Sequence, residues 1–128
     1  MSVKETREDL AAALKPHLRK FDIFPGSIDE PTLPTLDFER AGGAPGPASR
    51  ASVNEELVLY VIGPAGSTSD ELADWTDEVI AALSIHVGVS WDSYRRGVFG
   101  ADRDGNNGLP CYLITLHAVT NHAVITNP

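Results

Sequence analysis

Apolar residues along the chain follow two helical stripes. The first predicts a helix over residues 3–15, because its apolar positions recur every three or four residues and share one face. The members of this face are Leu10, Leu14, His17, Leu18 and Phe21. Pro16 must bend or end the helix, since proline lacks an amide donor and clashes with the preceding turn. Ser2 and Glu5 have the spacing of a capping box at its start.

The second stripe predicts a helix over residues 69–84. Its apolar members are Leu72, Trp75, Val79, Ile80 and Leu83. Thr68 and Glu71 form another capping box, and acidic residues early in the helix suit its positive N-terminal dipole.

Alternation and apolar runs predict four strands. They cover residues 35–40, 55–62, 87–99 and Tyr112–Val119. The run from Leu57 to Ile62 is unbroken, which indicates a strand covered on both faces. One face of the third strand would carry Val87, Val89 and Trp91, and one face of the fourth Tyr112, Ile114, Leu116 and Ala118.

The connections complete a prediction of fold class. Residues 41–50 are rich in Gly, Pro and small residues, so they are predicted to form a flexible loop. Residues 100–110 would form a polar hairpin loop, and residues 121–128 a loosely held tail. We expect one α+β domain over residues 1–128, with two helices on a two-layer, four-stranded antiparallel or mixed sheet. The strand–helix–strand unit in the middle would supply a parallel pair of neighbours.

Composition limits the classes of function. The chain has 128 residues, is 42% hydrophobic and 22% charged, and contains one cysteine, Cys111. This is ordinary usage for a globular protein that folds without disulfides. A formal net charge of -8 argues against general binding to nucleic acids or anionic membranes. No apolar run reaches the roughly 20 residues of a membrane span, and the first residues lack a signal-peptide core, so we expect synthesis in the cytoplasm.

Charges are unevenly distributed along the sequence. The first 20 residues contain the basic residues Lys4, Arg7, Lys15, Arg19 and Lys20. Residues 51–94 contain no Lys or Arg, and their acidic residues are Glu55, Glu56, Asp70, Glu71, Asp74, Asp77, Glu78 and Asp92. These are either solvated helix faces or two complementary surfaces that meet head-to-tail in an oligomer. Arg95 and Arg96 follow directly, either as an exposed strand end or as a contact to an acidic neighbour.

The stretch GADRDGNNGLP, residues 100–110, has the spacing of a calcium loop at first sight. Asp102, Asp104 and Asn106 would be the first three ligands. The position that requires glycine is Asn107, however, and the position of the final bidentate glutamate is Leu113. A hairpin turn uses the same Asp, Asn and Gly residues without these conflicts.

The other candidate motifs for ligand binding, metal binding or catalysis are also incomplete. GPAGSTSDE, residues 63–71, lies between a strand and a helix but lacks the lysine of a phosphate-binding loop. The four histidines form no recognisable ligand set, and Cys111 fits a buried, inert thiol. Trp75 and Trp91 are predicted to pack in the core. No cofactor, metal or catalytic site is therefore predicted.

The order of these segments resembles the tail terminator proteins of long-tailed bacteriophages. The resemblance runs through VKETREDLAAALKPHL, TLDFER, a Gly/Pro loop, ELVLYVIGP, DELADWTDEVIAAL and the final hairpin VSWDSYRRGVFGADRDGNNGLPCYLITLHAV. It implies a structural, non-enzymatic virion protein at the junction of tail and neck. Such a protein forms a homo-hexameric ring that caps the tail tube, ends its polymerisation and offers a surface to the head–tail connector or head-completion protein. Its other partner would be the major tail protein, and DNA would pass through the ring.

A ring requires two different surfaces of one subunit to match. The residues of these surfaces are predicted from charge and composition, because the resemblance supplies no motif for them. The candidates are Lys15, Arg19, Lys20, Arg40, Arg50, Glu55, Glu56, Asp74, Asp77, Glu78, Arg95, Arg96 and Arg103. Two alternatives stay open at this point: another phage neck or minor tail component, and a small-ligand module or enzyme.

Overall fold

The computed structural model of the chain describes residues 3–25, 31–45, 52–85, 89–100 and 108–121. Within these ranges no helix is long and apolar enough to cross a membrane. The elements follow in the order α1 (Val3–Leu14), β1 (Asp22–Ile23), β2 (Thr35–Pro45), β3 (Ser52–Ile62), α2 (Ser69–Leu83), β4 (Val89–Phe99) and β5 (Leu109–Asn121).

The described strands form one mixed sheet in the order β1-β2-β3-β5-β4. The β1–β2 pair is parallel and the other neighbouring pairs are antiparallel. The α+β class is confirmed, with five strands where four were predicted, because β1 has only two residues. The predicted parallel neighbours around α2 were wrong. β3 and β4 run in the same direction, but β5 lies between them.

Both helices pack on one face of the sheet and share a single main core. Alternate residues of the central strands point into it, as period-two geometry requires. They are Leu57, Leu59 and Val61 from β3 and Ile114, Leu116 and Ala118 from β5. The predicted helical stripes supply the other side of this core through Leu10, Leu14, Val79 and Leu83, and Leu72 of the second stripe is also buried.

The end of α1 is set by Pro16, close to the predicted position. The helix ends at Leu14, and one further turn follows in which the amide of Leu18 donates to the carbonyl of Leu14 at 2.9 Å. This turn places Leu18 and Phe21 in the core. His17 was assigned to the same face but is exposed, because the chain has left the helix at this point.

The start of α2 carries the predicted capping box. The amide of Glu71 donates to the hydroxyl of Thr68 at 3.1 Å, and the amide of Thr68 donates to the carboxylate of Glu71 at 3.0 Å. Two amides that lack a partner inside the helix are thereby satisfied. The helix spans Ser69–Leu83, one residue shorter than predicted.

The second face of the sheet has only a small apolar cluster. Ile62, Leu109 and Cys111 are buried there, and Tyr60 and Leu113 pack against them half-buried. No described helix lies on this face. The expectation that β3 is fully covered on both faces was therefore wrong, because its unbroken apolar run combines the main core with this second cluster.

β2 is longer than predicted and includes residues assigned to a flexible loop. Residues 41–45 pair with β3 after a bulge between Arg40 and Gly42. A side chain at Gly43 would lie 3.3 Å from the Asn54 carbonyl oxygen and 3.3 Å from the Glu55 carboxylate. Glycine thus allows the strand to pass close to its neighbour, a role that composition alone does not distinguish from a loop.

Several expectations fall outside the described residues. They concern Ser2, the rest of the predicted loop at 46–50, the hairpin tip at 101–107 and residues 122–128 of the tail. The tail was predicted to begin at residue 121, but Asn121 is the last residue of β5. Phe99 and Leu109 are paired across β4 and β5, so strands flank the tip where a calcium-binding EF-hand would have helices.

Candidate assembly surface

The described part of the chain holds no group of three or more His, Cys, Asp or Glu residues that could bind a metal. His17 follows α1, whereas His117 lies on β5 with its Nε2 atom 3.6 Å from Oδ2 of Asp92. His86 and His122 are outside the described residues. The two described histidines, His17 and His117, thus lie in different parts of the fold.

Cys111 is buried, as predicted. Burial raises the pKa of its thiol to about 11, so the thiol stays protonated at neutral pH. Because the thiolate is the nucleophile, this environment suppresses the reactivity of Cys111.

Residues 63–71 comprise a turn and the first residues of α2, and the polar groups of the turn form hydrogen bonds within this segment. The amide and the hydroxyl of Ser67 both donate to the Pro64 carbonyl, at 3.1 Å and 2.6 Å. Gly66 has a φ of 84°, a conformation that favours glycine. The capping pair Thr68 and Glu71 completes the turn. The geometry is that of a strand-to-helix connection.

β4 is the last strand of the sheet and is exposed along most of its length. Only its first residue, Val89, is buried. The described chain exposes five large hydrophobic side chains, and three of them lie on β4: Trp91, Tyr94 and Val98. A long edge strand with exposed apolar side chains is an aggregation hazard unless a partner covers it.

An aromatic strip, formed by Trp91, Tyr94 and Tyr112, crosses from this edge toward the core. The rings of Trp91 and Tyr94 are 6.3 Å apart, and those of Tyr94 and Tyr112 are 5.8 Å apart in a T-shaped arrangement. Tyr112 packs against the main core. The prediction that Trp91 is a core residue was wrong. It is 38% exposed, because β4 is an edge strand with a bulge between Trp91 and Ser93.

The two arginines on β4 have different environments. The Arg96 guanidinium donates to the Ser69 hydroxyl at 2.9 Å and so ties β4 to the first residue of α2. Arg95 points to the opposite face, since successive strand residues alternate. Arg95 is exposed, and none of the ion pairs found among described residues includes it.

A second surface feature lies where the ends of the two helices meet. Residues 16–20 and the last turns of α2 line a groove of about 540 Å³ that includes the exposed Ile85. Lys20 Nζ lies 2.8 Å from Oε1 of Glu78 across it. One of the two alternatives from the sequence was that these charges lie on complementary surfaces of different subunits, and the structure pairs them within one chain.

Arg40 and Glu55 are likewise close within the subunit, at 3.4 Å. The Glu55 side chain is only 4% exposed, whereas that of Arg40 is 54% exposed. Glu55 therefore contributes to the interior of the subunit. Arg40 remains accessible on β2.

The other candidate interface residues are distributed over the surface. Lys15, Arg19, Glu56, Asp74 and Asp77 are exposed, the last two on α2. Arg50 and Arg103 lie outside the described residues. Sequence reasoning overlooked Trp91, Tyr94 and Val98 as surface residues. The three-residue spacing of Trp91 and Tyr94 breaks strand alternation and was the available sign of a bulge.

No model of a known protein family matches the chain, and comparison with curated proteins gives no match. The geometry of the surface and the sequence pattern are therefore the basis for a functional assignment.

Proposed function

We propose that the protein is a structural component of a phage tail that assembles into a homo-hexameric ring on the tail tube. The ring ends tube polymerisation and offers a surface to the head–tail connector. The observation that carries this proposal is the exposed β4 strand, with Trp91, Tyr94 and Val98 uncovered in the isolated chain. An assembly protein has a reason to keep such a strand, because a neighbouring subunit covers it.

The asymmetry of the subunit supports a ring in preference to a two-fold dimer. A ring uses two different patches of each subunit, whereas a two-fold dimer uses one patch twice. β4 carries Arg95 and Arg96, while exposed acidic residues are found on α2 at Asp74 and Asp77. The net charge of -8 also suits a ring through which DNA passes, because an acidic protein does not retain the polyanion.

The proposal is tested by native mass spectrometry and negative-stain imaging of the full chain, alone and with polymerising tail tube protein. We expect a sixfold ring and tubes that stop growing once capped. Replacing Trp91 and Tyr94 by serine should shift the protein to monomers, because it removes the exposed apolar area of the interface.

Leu33→Ser is the matched control, since Leu33 is 50% exposed and lies outside β4. It should leave the ring intact. A chain that stays monomeric both alone and with the tube, and that leaves tube growth unchanged, would contradict the proposed function.

A further inference from the structure

The sheet of one subunit has two open edges among the described residues. β4 is the terminal strand on one side. On the other side, β1 pairs only with Thr35 and Leu36 of β2. The outer edge of β2 is therefore uncovered from Asp37 to Pro45 by any described strand. Open edges present unpaired amide and carbonyl groups that another strand can bind.

The directions of these two edge strands are complementary. β2, β3, β5 and β4 are neighbours in this order, and each pair is antiparallel. Three reversals make β4 antiparallel to β2. A rotation about an axis along the strands preserves direction, so the β4 strand of one copy can meet the β2 strand of the next as an antiparallel neighbour.

Charge is also complementary across these edges. Asp37, Tyr60, Leu113 and Arg95 form one row of register partners across the sheet, so Asp37 and Arg95 stand on the same face, away from the helices. Glu39 is two residues further along β2 and shares that face. The acidic pair Asp37 and Glu39 thus lies at one open edge, and the cation of Arg95 lies at the other.

We propose that copies of this chain join edge to edge, with β4 of one copy pairing antiparallel to β2 of the next and Arg95 facing the acidic pair Asp37 and Glu39. The sheet then continues from subunit to subunit. This inference deepens the proposed function and rests on it for the number of subunits. The bulge in β4 and the short β1 confine the pairing to the middle of each edge.

Cysteine cross-linking tests the pairing directly. A variant with Arg95→Cys and Glu39→Cys should form disulfide-linked ladders up to the hexamer under mild oxidation, because the two positions meet between subunits. Each single variant should give no ladder. Cys111 is buried and its thiol remains protonated near neutral pH, so it does not compete.

Charge reversal provides a second, independent readout. Arg95→Glu should raise the dissociation constant between subunits about fivefold, and adding Glu39→Arg should restore it, since exposed pairs contribute up to about 1 kcal/mol each. Asp9→Lys reverses an exposed charge on α1, outside the candidate interface residues, and is the control that should leave association unchanged.

The outcomes separate this inference from the proposed function. A sixfold ring without cross-linked ladders would overturn the edge pairing and leave the ring intact. Open-ended ladders without a ring would support the pairing and contradict the terminator role. Dimers linked by Tyr94→Cys alone would show that β4 pairs with itself about a two-fold axis, and would overturn the inference. A monomer under all conditions would contradict both proposals.

Discussion

Tyr60 lies on the face of the sheet that points away from the helices, and the pKa of its hydroxyl is raised. Its hydroxyl donates to Oε2 of Glu39 at 2.8 Å, and its ring packs edge-on against Phe99 at 5.4 Å. Burial, followed by the hydrogen bond and the negative charge of Glu39, raises its pKa to about 12. Tyr60 thereby links the two strands β2 and β3 near the proposed subunit edge.

This shift predicts a loss of stability in alkali. Below about pH 10 the tyrosine is protonated in both states, and its contribution is fully present. Between about pH 10 and pH 12 the unfolded chain releases the proton while the folded chain retains it, so the free energy of unfolding falls as pH rises. Urea unfolding across this range should show a shallower decline for Tyr60→Phe than for the parent protein.

Tyr94→Phe is the matched control, because it also removes one phenol but at a position 52% exposed. Its decline should parallel that of the parent protein. Equal slopes for the parent protein and Tyr60→Phe would contradict the assigned role of the Glu39 contact.

At the scale of elements, the capping box of α2 makes a quantitative prediction. Thr68→Ala removes an acceptor for the Glu71 amide and should lower the free energy of unfolding by about 1 kcal/mol. Glu71→Ala removes the other half of the same box, the hydrogen bond from the Thr68 amide to the Glu71 carboxylate. We expect it to lower the free energy of unfolding by less than Thr68→Ala does. The double variant should lose less than the sum, since each half positions the other.

Urea denaturation of the parent protein, the two single variants and the double variant gives the coupling energy between Thr68 and Glu71. Ser84→Ala, at the opposite end of α2, is the control. The Ser84 hydroxyl only donates back to the Ile80 carbonyl, at 2.9 Å, so a loss below about 0.5 kcal/mol is expected. Strict additivity of Thr68→Ala and Glu71→Ala would show that the two hydrogen bonds act independently.

The accuracy of sequence prediction differed between elements for a physical reason. α2 was placed within one residue, because its cap and its apolar stripe are local signals. The end of β2 was missed, since residues 41–45 are held by pairing with β3 despite their glycine and proline content. β1 was missed because two residues carry no periodicity, and it exists only through its register with β2.

At the scale of the whole molecule, the candidate surface could be predicted only in part from the sequence. The acidic and basic segments were recognised in the sequence, but the sequence does not say whether such charges meet within one chain or between chains. Lys20 and Glu78 are 58 residues apart and form an ion pair inside the subunit. Trp91 was assigned to the core because edge strands and central strands have similar composition.

A charge swap tests whether the Lys20–Glu78 ion pair stabilises a single subunit or joins two subunits. Lys20→Glu should lower the free energy of unfolding of the subunit by up to about 1 kcal/mol, because both side chains are about half exposed and solvent screens them. The double variant Lys20→Glu with Glu78→Lys should recover most of this loss, and added salt should shrink the coupling. Arg19→Glu is the control, since Arg19 is exposed and forms no ion pair with a described residue. If Lys20→Glu instead destabilises only the oligomer, and the swap restores nothing in the isolated subunit, the pair acts between subunits, as the charge pattern of the sequence first suggested.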